Sequence, residues 1–249
     1  MDTEKLYDAD AGKWRRRKPN SLSDFTGRPA VFELCGDVTG LRVADVGCGE
    51  GYCTRELKHR GAAEIVGIEL SAKMVEQAQA QEAEDKLGIE YRQGNVLALD
   101  LPDGYYDLVT AVFVFNYLTR DECRKTLEEV HRILKPGGHF VYSIPHPCFP
   151  FMKDRKAPFF FDFQENGYFS GLDTKNEGEI HCLDGTALRV QMIHKPLEEY
   201  FNVMRAAGFT LMPEVRELRV QPEHLESNPE FFGPVNDIPL HMAFRIQKS

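Results

Sequence analysis

The sequence predicts an α/β fold built on one parallel sheet with helices on both faces. Three observations carry that reading. Short apolar runs alternate with helical stretches from Leu41 to Ile144. A glycine-rich turn follows the first apolar run directly, and two of the intervening helices open on clear capping residues, Ser71 and Thr119. Strands separated by helices need crossover connections, which are right-handed and leave a parallel sheet covered on both sides.

Each element has its own justification. LRVADV (Leu41 to Val46) reads as a buried strand. The turn VGCGEG follows, then a short helix through Leu57 that Gly61 stops. EIVGIEL (Glu64 to Leu70) is a second strand. Ser71 suits the N-cap of the next helix, with Met74, Val75 and Ala78 on one face. IEYRQGNV (Ile89 to Val96) and YYDLVTAVFVF (Tyr105 to Phe115) carry the third and fourth strands. Thr119 and Glu122 form a capping box, and Cys123, Leu127, Val130 and Leu134 follow at helical spacing. LKPGG turns the chain into a fifth strand, HFVYSI.

The rhythm breaks at SIPHPCFPF, where prolines 145, 147, 150 and 158 oppose regular structure. Seven of the 17 phenylalanines fall between Phe149 and Phe169. EIHCLDGTALRVQMI predicts a hairpin, because Asp184-Gly185 favours a tight primed turn. Pro196 opens a helix with Leu197, Tyr200, Phe201 and Met204 on one face, and Gly208 closes it. FTLMPEVRELRV and PLHMAFRIQ are the last strands. The expected organisation is a single domain over 1–249, with an N-terminal arm or lid at 1–40 and an aromatic-rich insertion at 149–195 over the site.

Composition narrows the function. The chain has 249 residues, a net charge of −9 and a pI near 5.4. That balance disfavours a protein whose main task is to grip nucleic-acid phosphates. The basic run WRRRKP (Trp14 to Pro19) is short enough to be a solvated face or a mobile arm. The six cysteines form no CxxC pair and no zinc-finger spacing, so no metal site is expected. The N-terminus is too acidic for a signal peptide, and no run of about 18 uncharged apolar residues exists to span a bilayer. A reduced, cytoplasmic protein is the expectation.

VADVGCGEG packs three glycines into five residues at the end of the first strand. A turn at this place in such a sheet commonly holds a nucleotide-containing cofactor. The dinucleotide pattern G-x-G-x-x-G is not met, since Tyr52 stands where its last glycine belongs. No Gly-Lys-Ser/Thr follows, which excludes a phosphate-binding loop of that kind. Glu69 ends the second strand, 22 residues after Gly47. A carboxylate there is able to accept hydrogen bonds from both hydroxyls of a ribose, and this alone does not separate NAD from another adenosine cofactor.

Several of these segments, in order, resemble class I S-adenosylmethionine-dependent methyltransferases. VADVGCGEG is similar to their first motif, and Glu69 falls at their ribose acid. Gln93-Gly94-Asn95-Val96 matches the adenine-contact region, with Asn95 where many members carry Asp. YYDLVTAVFVFNYL and LKPGGHFVYS match the fourth strand and the turn into the fifth. The similarity covers roughly Leu41 to Ile144. Within it, GDVTGLRVADVGCGEGYCTREL, RGAAEIVGIELSAKM and Phe115-Asn116-Tyr117 resemble small-molecule methyltransferases of the toxoflavin-biosynthesis kind, from which the second half of the chain departs.

The resemblance implies a Rossmann-like, mostly parallel seven-stranded sheet with an antiparallel last strand, and S-adenosyl-L-methionine as cofactor. It places the methionine end against Gly47, Gly49 and Gly51, where Cβ atoms would collide with it, with Asp45 orienting the amino-acid portion or the loop amides. Glu69 would take the ribose, Met74, Asn95 and Val96 the adenine, and Ala111 and Phe113 the floor near the sulfonium, with Leu70 as a further cofactor contact. Tyr7 would fold over the cofactor. Asn116, Tyr117, His146 and His194 are the candidate acceptor contacts. His146, which follows the fifth strand, is the candidate general base; its other role is to pin a proline-rich turn. His194, like His181 and His241, has an ordinary alternative as a surface or core residue. The Asp/Asn-Pro-Pro-aromatic motif of DNA amino-methyltransferases is missing from AVFVFNY, so a small-molecule acceptor is expected and nucleic acid and membrane are not. An NAD-dependent oxidoreductase and a catalytically silent cofactor-binding protein are the alternatives. The sequence does not give the oligomeric state.

Overall fold

The protein is described from a computed structural model. The described residues are Lys5, Asp8, 12–14, 18–152, 158–163 and 166–249. Tyr7 and Arg15 to Arg17 of the basic run lie outside them.

Seven strands form the main sheet: β1 (Arg42–Val46), β2 (Glu64–Glu69), β3 (Glu90–Gln93), β4 (Tyr106–Val112), β5 (Leu134–Pro145), β9 (Glu214–Leu218) and β10 (His241–Gln247). Their order is β3-β2-β1-β4-β5-β10-β9. The first five are parallel neighbours, whereas β10 inserts antiparallel between β5 and β9. A one-residue alternation sends side chains to two separate cores. Phe140 and Tyr142 of β5 point to one face and Val141 to the other, and on β10 Phe244 and Ala243 divide in the same way.

The first face is covered by α5 (Arg120–Ile133) and α6 (Leu197–Ala206). Cys123, Leu127 and Val130 of α5 and Tyr200 and Met204 of α6 are buried there against Phe140, Tyr142 and Phe244. Tyr142 stacks on Phe244 with centroids 4.6 Å apart and 7° between the rings. The second face is covered by α2 (Arg28–Cys35), α3 (Tyr52–His59) and α4 (Ala72–Asp85), through residues such as Val31, Leu57 and Val75. α1 (Leu22–Thr26) precedes α2. Over residues 22–35 the expected arm is therefore a packed helical layer: Val31, Phe32 and Leu34 are apolar at helical spacing and bury against the sheet.

The caps form as their sequence suggests. Thr119 accepts from the Glu122 amide at 3.3 Å, and Glu122 accepts from the Thr119 amide at 2.8 Å. Ser71 accepts from the Met74 amide at 3.2 Å. The LKPGG segment belongs to the long β5 and adds no separate turn, since the chain is already extended at Leu134, the C-cap of α5.

The insertion differs from a bare hairpin. β7 (Lys175–His181) and β8 (Ala187–Ile193) pair across Asp184-Gly185 as expected. β6 (Phe159–Phe161) adds a third antiparallel strand inside the proline-rich region. It is tolerated because Pro158 precedes the strand and the segment FFF alternates, with Phe159 and Phe161 buried and Phe160 half-buried. These rings share a third core with Leu22, Met192, Phe232 and Leu240. Two short helices, α7 (Pro222–Ser227) and α8 (Pro229–Phe232), connect β9 to β10 and complete it. Both begin on proline at N1, which fixes φ without losing a helical hydrogen bond.

Replacing Thr119 by Ala removes the cap of α5, a helix that carries much of the first core. Urea unfolding of Thr119→Ala is expected to show a loss of about 1 kcal/mol at an unchanged m-value.

Candidate functional site

The carboxyl ends of β1, β2 and β4 open onto one cavity of about 320 Å³. Its first half is built from the glycine turn. Gly47 and Cys48 donate their amides to the Ile68 carbonyl at 2.7 and 3.1 Å, which pins the turn to β2. Asp45, buried at the end of β1, accepts from the hydroxyls of Thr54 at 2.6 Å and Thr110 at 2.8 Å. One carboxylate thus ties β1 to α3 and to β4. Burial raises its pKa above the ordinary range, against the opposing pull of those two hydroxyls and Arg28. Its oxygens serve the framework, although Asp45 also reaches the cavity wall.

All three glycines of the turn have positive φ, at +73°, +58° and +86°. The reasons they lack side chains differ. A Cβ on Gly47 would stand 2.3 Å from Val114 Cγ2, and one on Gly51 would stand 2.4 Å from the Tyr91 hydroxyl. Only Gly49 has open space beside it. The expectation that a bound molecule excludes all three side chains is corrected on this point: protein neighbours exclude two of them. Gly51 is the N-cap of α3 and lies outside the cavity lining, which Gly47 and Gly49 form.

Glu69 faces this half of the cavity. Its Oε2 accepts from the Gly49 amide at 3.0 Å and its Oε1 from the Ser71 amide at 2.9 Å. The carboxylate is held in one orientation, and each oxygen keeps acceptor capacity for a hydroxyl. Burial raises its pKa, partly offset by the amides of Ser71 and Gly49. Leu70, Met74, Asn95 and Val96 line the adjoining wall. Asn95 Oδ1 accepts from the Leu97 amide at 2.9 Å, which fixes the turn after β3. An open backbone position beside a fixed carboxylate, with apolar walls, suits a ribose-bearing cofactor.

The second half is more aromatic. Phe113 follows β4 with φ +59°, a left-handed backbone that a bulky residue seldom adopts. Its ring, with those of Phe159 and Phe161 and the side chains of Ile180 and Val190, forms the wall. Asn116 and Tyr117 belong to this half. Asn116 is buried; its Nδ2 donates to the Gln191 carbonyl at 3.4 Å and its Oδ1 has no partner.

Three expected contacts stand elsewhere. Ala111 is buried in the first core, since its side chain alternates away from the cavity along β4. His146 lies outside the lining with both ring nitrogens engaged. Nδ1 accepts from the Cys148 amide at 3.1 Å, which leaves the proton on Nε2 for Glu217 at 3.0 Å. It pins the proline turn after β5 and has no nitrogen left to act as a base. His194 is enclosed by Phe151, Phe163 and Tyr168 and donates through Nε2 to the Tyr168 carbonyl at 2.7 Å. Two other wall residues were not expected at the site: Arg28, which no local pattern singles out, and His241, which reads as an ordinary surface or core histidine. Arg28 arrives from α2, and His241 from the first turn of β10. Arg28 donates to Ser23 at 2.6 Å and Asp24 at 2.7 Å. Burial, with the charge of Arg28, pushes the His241 pKa down to about 3.

Among the described residues no helix is long and apolar enough to cross a membrane, and no group of three His, Cys, Asp or Glu side chains is placed to hold a metal.

Two outcomes follow from this geometry. Gly47→Ala is expected to lower the melting temperature by several degrees, with partial recovery in the Gly47→Ala/Val114→Ala double variant, because the clash is with a protein side chain. His241 binds its proton more readily unfolded (ordinary pKa 6.5) than folded (about 3), so its contribution to stability is lost as pH falls through that window. Lowering pH from about 7 to about 5 should cost the wild-type about 2 kcal/mol more than His241→Phe in chemical unfolding.

Comparison with known proteins agrees with the geometry. A family model described as a methyltransferase domain matches residues 43–138. The chain is 34% identical over 190 residues to a demethylmenaquinone methyltransferase of Lactococcus lactis, covering 73% of this chain and 71% of that protein. It is 31% identical over 142 residues to a ubiquinone biosynthesis O-methyltransferase of Alkalilimnicola ehrlichii, over 55% of this chain and 56% of that one. The crystal structure of an S-adenosylmethionine-dependent methyltransferase from Mesorhizobium loti superposes with a TM-score of 0.67 at 25% identity, covering 88% of this chain and 96% of its own. The chain belongs to the S-adenosylmethionine-dependent methyltransferases.

Proposed function

We propose that the enzyme methylates an uncharged, planar small molecule held beneath the β6–β8 sheet. The carrying observation is the continuity of the cavity, from Gly49 and Glu69 to the aromatic wall of Phe113, Phe159 and Phe161. The insertion roofs the second half, which favours a small acceptor over a polymer. The net charge of −9 also disfavours a nucleic-acid acceptor. Two relatives carry names from quinone chemistry, demethylmenaquinone methyltransferase and ubiquinone biosynthesis O-methyltransferase, which supports a ring-shaped acceptor.

The roles divide along the cavity. Glu69 takes the ribose hydroxyls, with its carboxylate preset by the Gly49 and Ser71 amides. Gly49 lets the methionine end approach the backbone. Leu70, Met74 and Val96 clasp the adenine, with Asn95 at its edge. S-adenosylmethionine supplies an activated methyl group with its own leaving group. The protein therefore needs no covalent nucleophile, and its residues align the acceptor and exclude water. Phe113 and the roof do this by shape. Asn116 Oδ1 and Tyr117 contact the acceptor.

The test has two parts. Calorimetry with S-adenosylhomocysteine should show tight binding, weakened at least tenfold in Glu69→Ala. Incubation with labelled cofactor and a metabolite extract should yield a product heavier by one methyl group. Absence of binding at millimolar ligand overturns the cofactor assignment, and methyl transfer only to nucleic acid overturns the acceptor class.

A further inference from the structure

His241 is a buried polar residue that the cofactor site does not use. It is 2% exposed, and its ring forms part of the cavity wall. It packs edge-on against Phe113, with centroids 5.0 Å apart, and against Phe159 at 5.6 Å. Neither ring nitrogen has a hydrogen-bond partner. Buried polar atoms in folded proteins are nearly always paired, so an enclosed imidazole with neither nitrogen paired calls for a partner. Its neighbours do not supply one. Arg28 turns Nη1 to Ser23 and Asp24, and its unpaired Nε makes no hydrogen bond to the imidazole. His146 is taken by Glu217 and the Cys148 amide.

The surroundings select the partner. Beside His241 the wall is aromatic, and the nearby Arg28 is neutralised by Asp24. A charged group there would lose its hydration without gaining a counterion. The imidazole itself is neutral, because burial and the charge of Arg28 hold its pKa far below physiological pH. A neutral imidazole offers one donor and one acceptor. A hydroxyl is complementary to either nitrogen, since it both donates and accepts.

Resting on the proposed acceptor site, we infer that His241 is the polar recognition point for the acceptor and binds the hydroxyl of a phenol-like ring stacked among Phe113 and Phe159. The inference concerns binding and positioning. It assigns His241 no proton transfer.

Equilibrium dialysis of 2-naphthol and naphthalene against protein saturated with S-adenosylhomocysteine tests it. The wild-type should prefer 2-naphthol by about tenfold, the worth of one buried neutral hydrogen bond. His241→Phe should lose that preference through weaker 2-naphthol binding, while affinities for naphthalene and S-adenosylhomocysteine stay unchanged. His241→Gln should keep part of the preference. Equal binding of the two probes by the wild-type, binding of neither, or full preference in His241→Phe overturns the inference. Should His241→Phe fail to fold, the wild-type pair and His241→Gln still decide it. Failure of S-adenosylhomocysteine itself to bind would strike the cofactor assignment, a separate outcome.

Discussion

The carboxylate of Asp45 is the fixed point of this molecule. Taken out of water at the end of β1, it is stabilised by two hydroxyls, Thr54 on α3 and Thr110 on β4. Hydrogen bonds to a buried charge are worth about 1.5–3 kcal/mol each, and loss of either leaves an under-solvated anion. The cluster sets where α3 starts relative to the sheet. It thereby sets the path of the glycine turn, whose amides then reach Ile68 and Glu69. The orientation of Glu69 is a consequence of that chain of contacts.

The cavity joins two halves of different origin. The half beside the glycine turn is made by the carboxyl ends of parallel strands, a position where open α/β sheets bind ligands because backbone amides and loops converge there. The aromatic half is made by parts distant in sequence: Trp14 and the first helices, the three-stranded insertion, and the start of β10. They meet because the third core packs Leu22, Phe159, Phe232 and Leu240 together. Substitutions in that core would alter the aromatic wall while leaving the glycine turn in place.

Electrostatics follow the same division. In the half beside the glycine turn Asp45 is engaged by hydroxyls, Glu69 by amides and Glu50 by Arg55. In the aromatic half the charge of Arg28 is matched by Asp24. The result is an aromatic chamber with few polar points, which favours shape and single hydrogen bonds over charge in selecting a ligand.

From Leu41 to Ile144 the chain could be read residue by residue, because strand, turn, cap and helix are local properties written in spacing. The alternation of VADV, the capping box at Thr119 and the hairpin turn at Asp184-Gly185 needed no tertiary knowledge. Other features depended on contacts that no local pattern encodes. Gly47 and Gly51 yield to Val114 and Tyr91, which are 67 and 40 residues away in the chain. His146 looked exposed to the site from its place after β5, yet Glu217 across the sheet and the Cys148 amide claim its ring. His241 reaches the cavity because β10 inserts between β5 and β9. Local chemistry determined the sheet and the glycine turn; long-range packing alone decided which side chains line the aromatic half of the cavity.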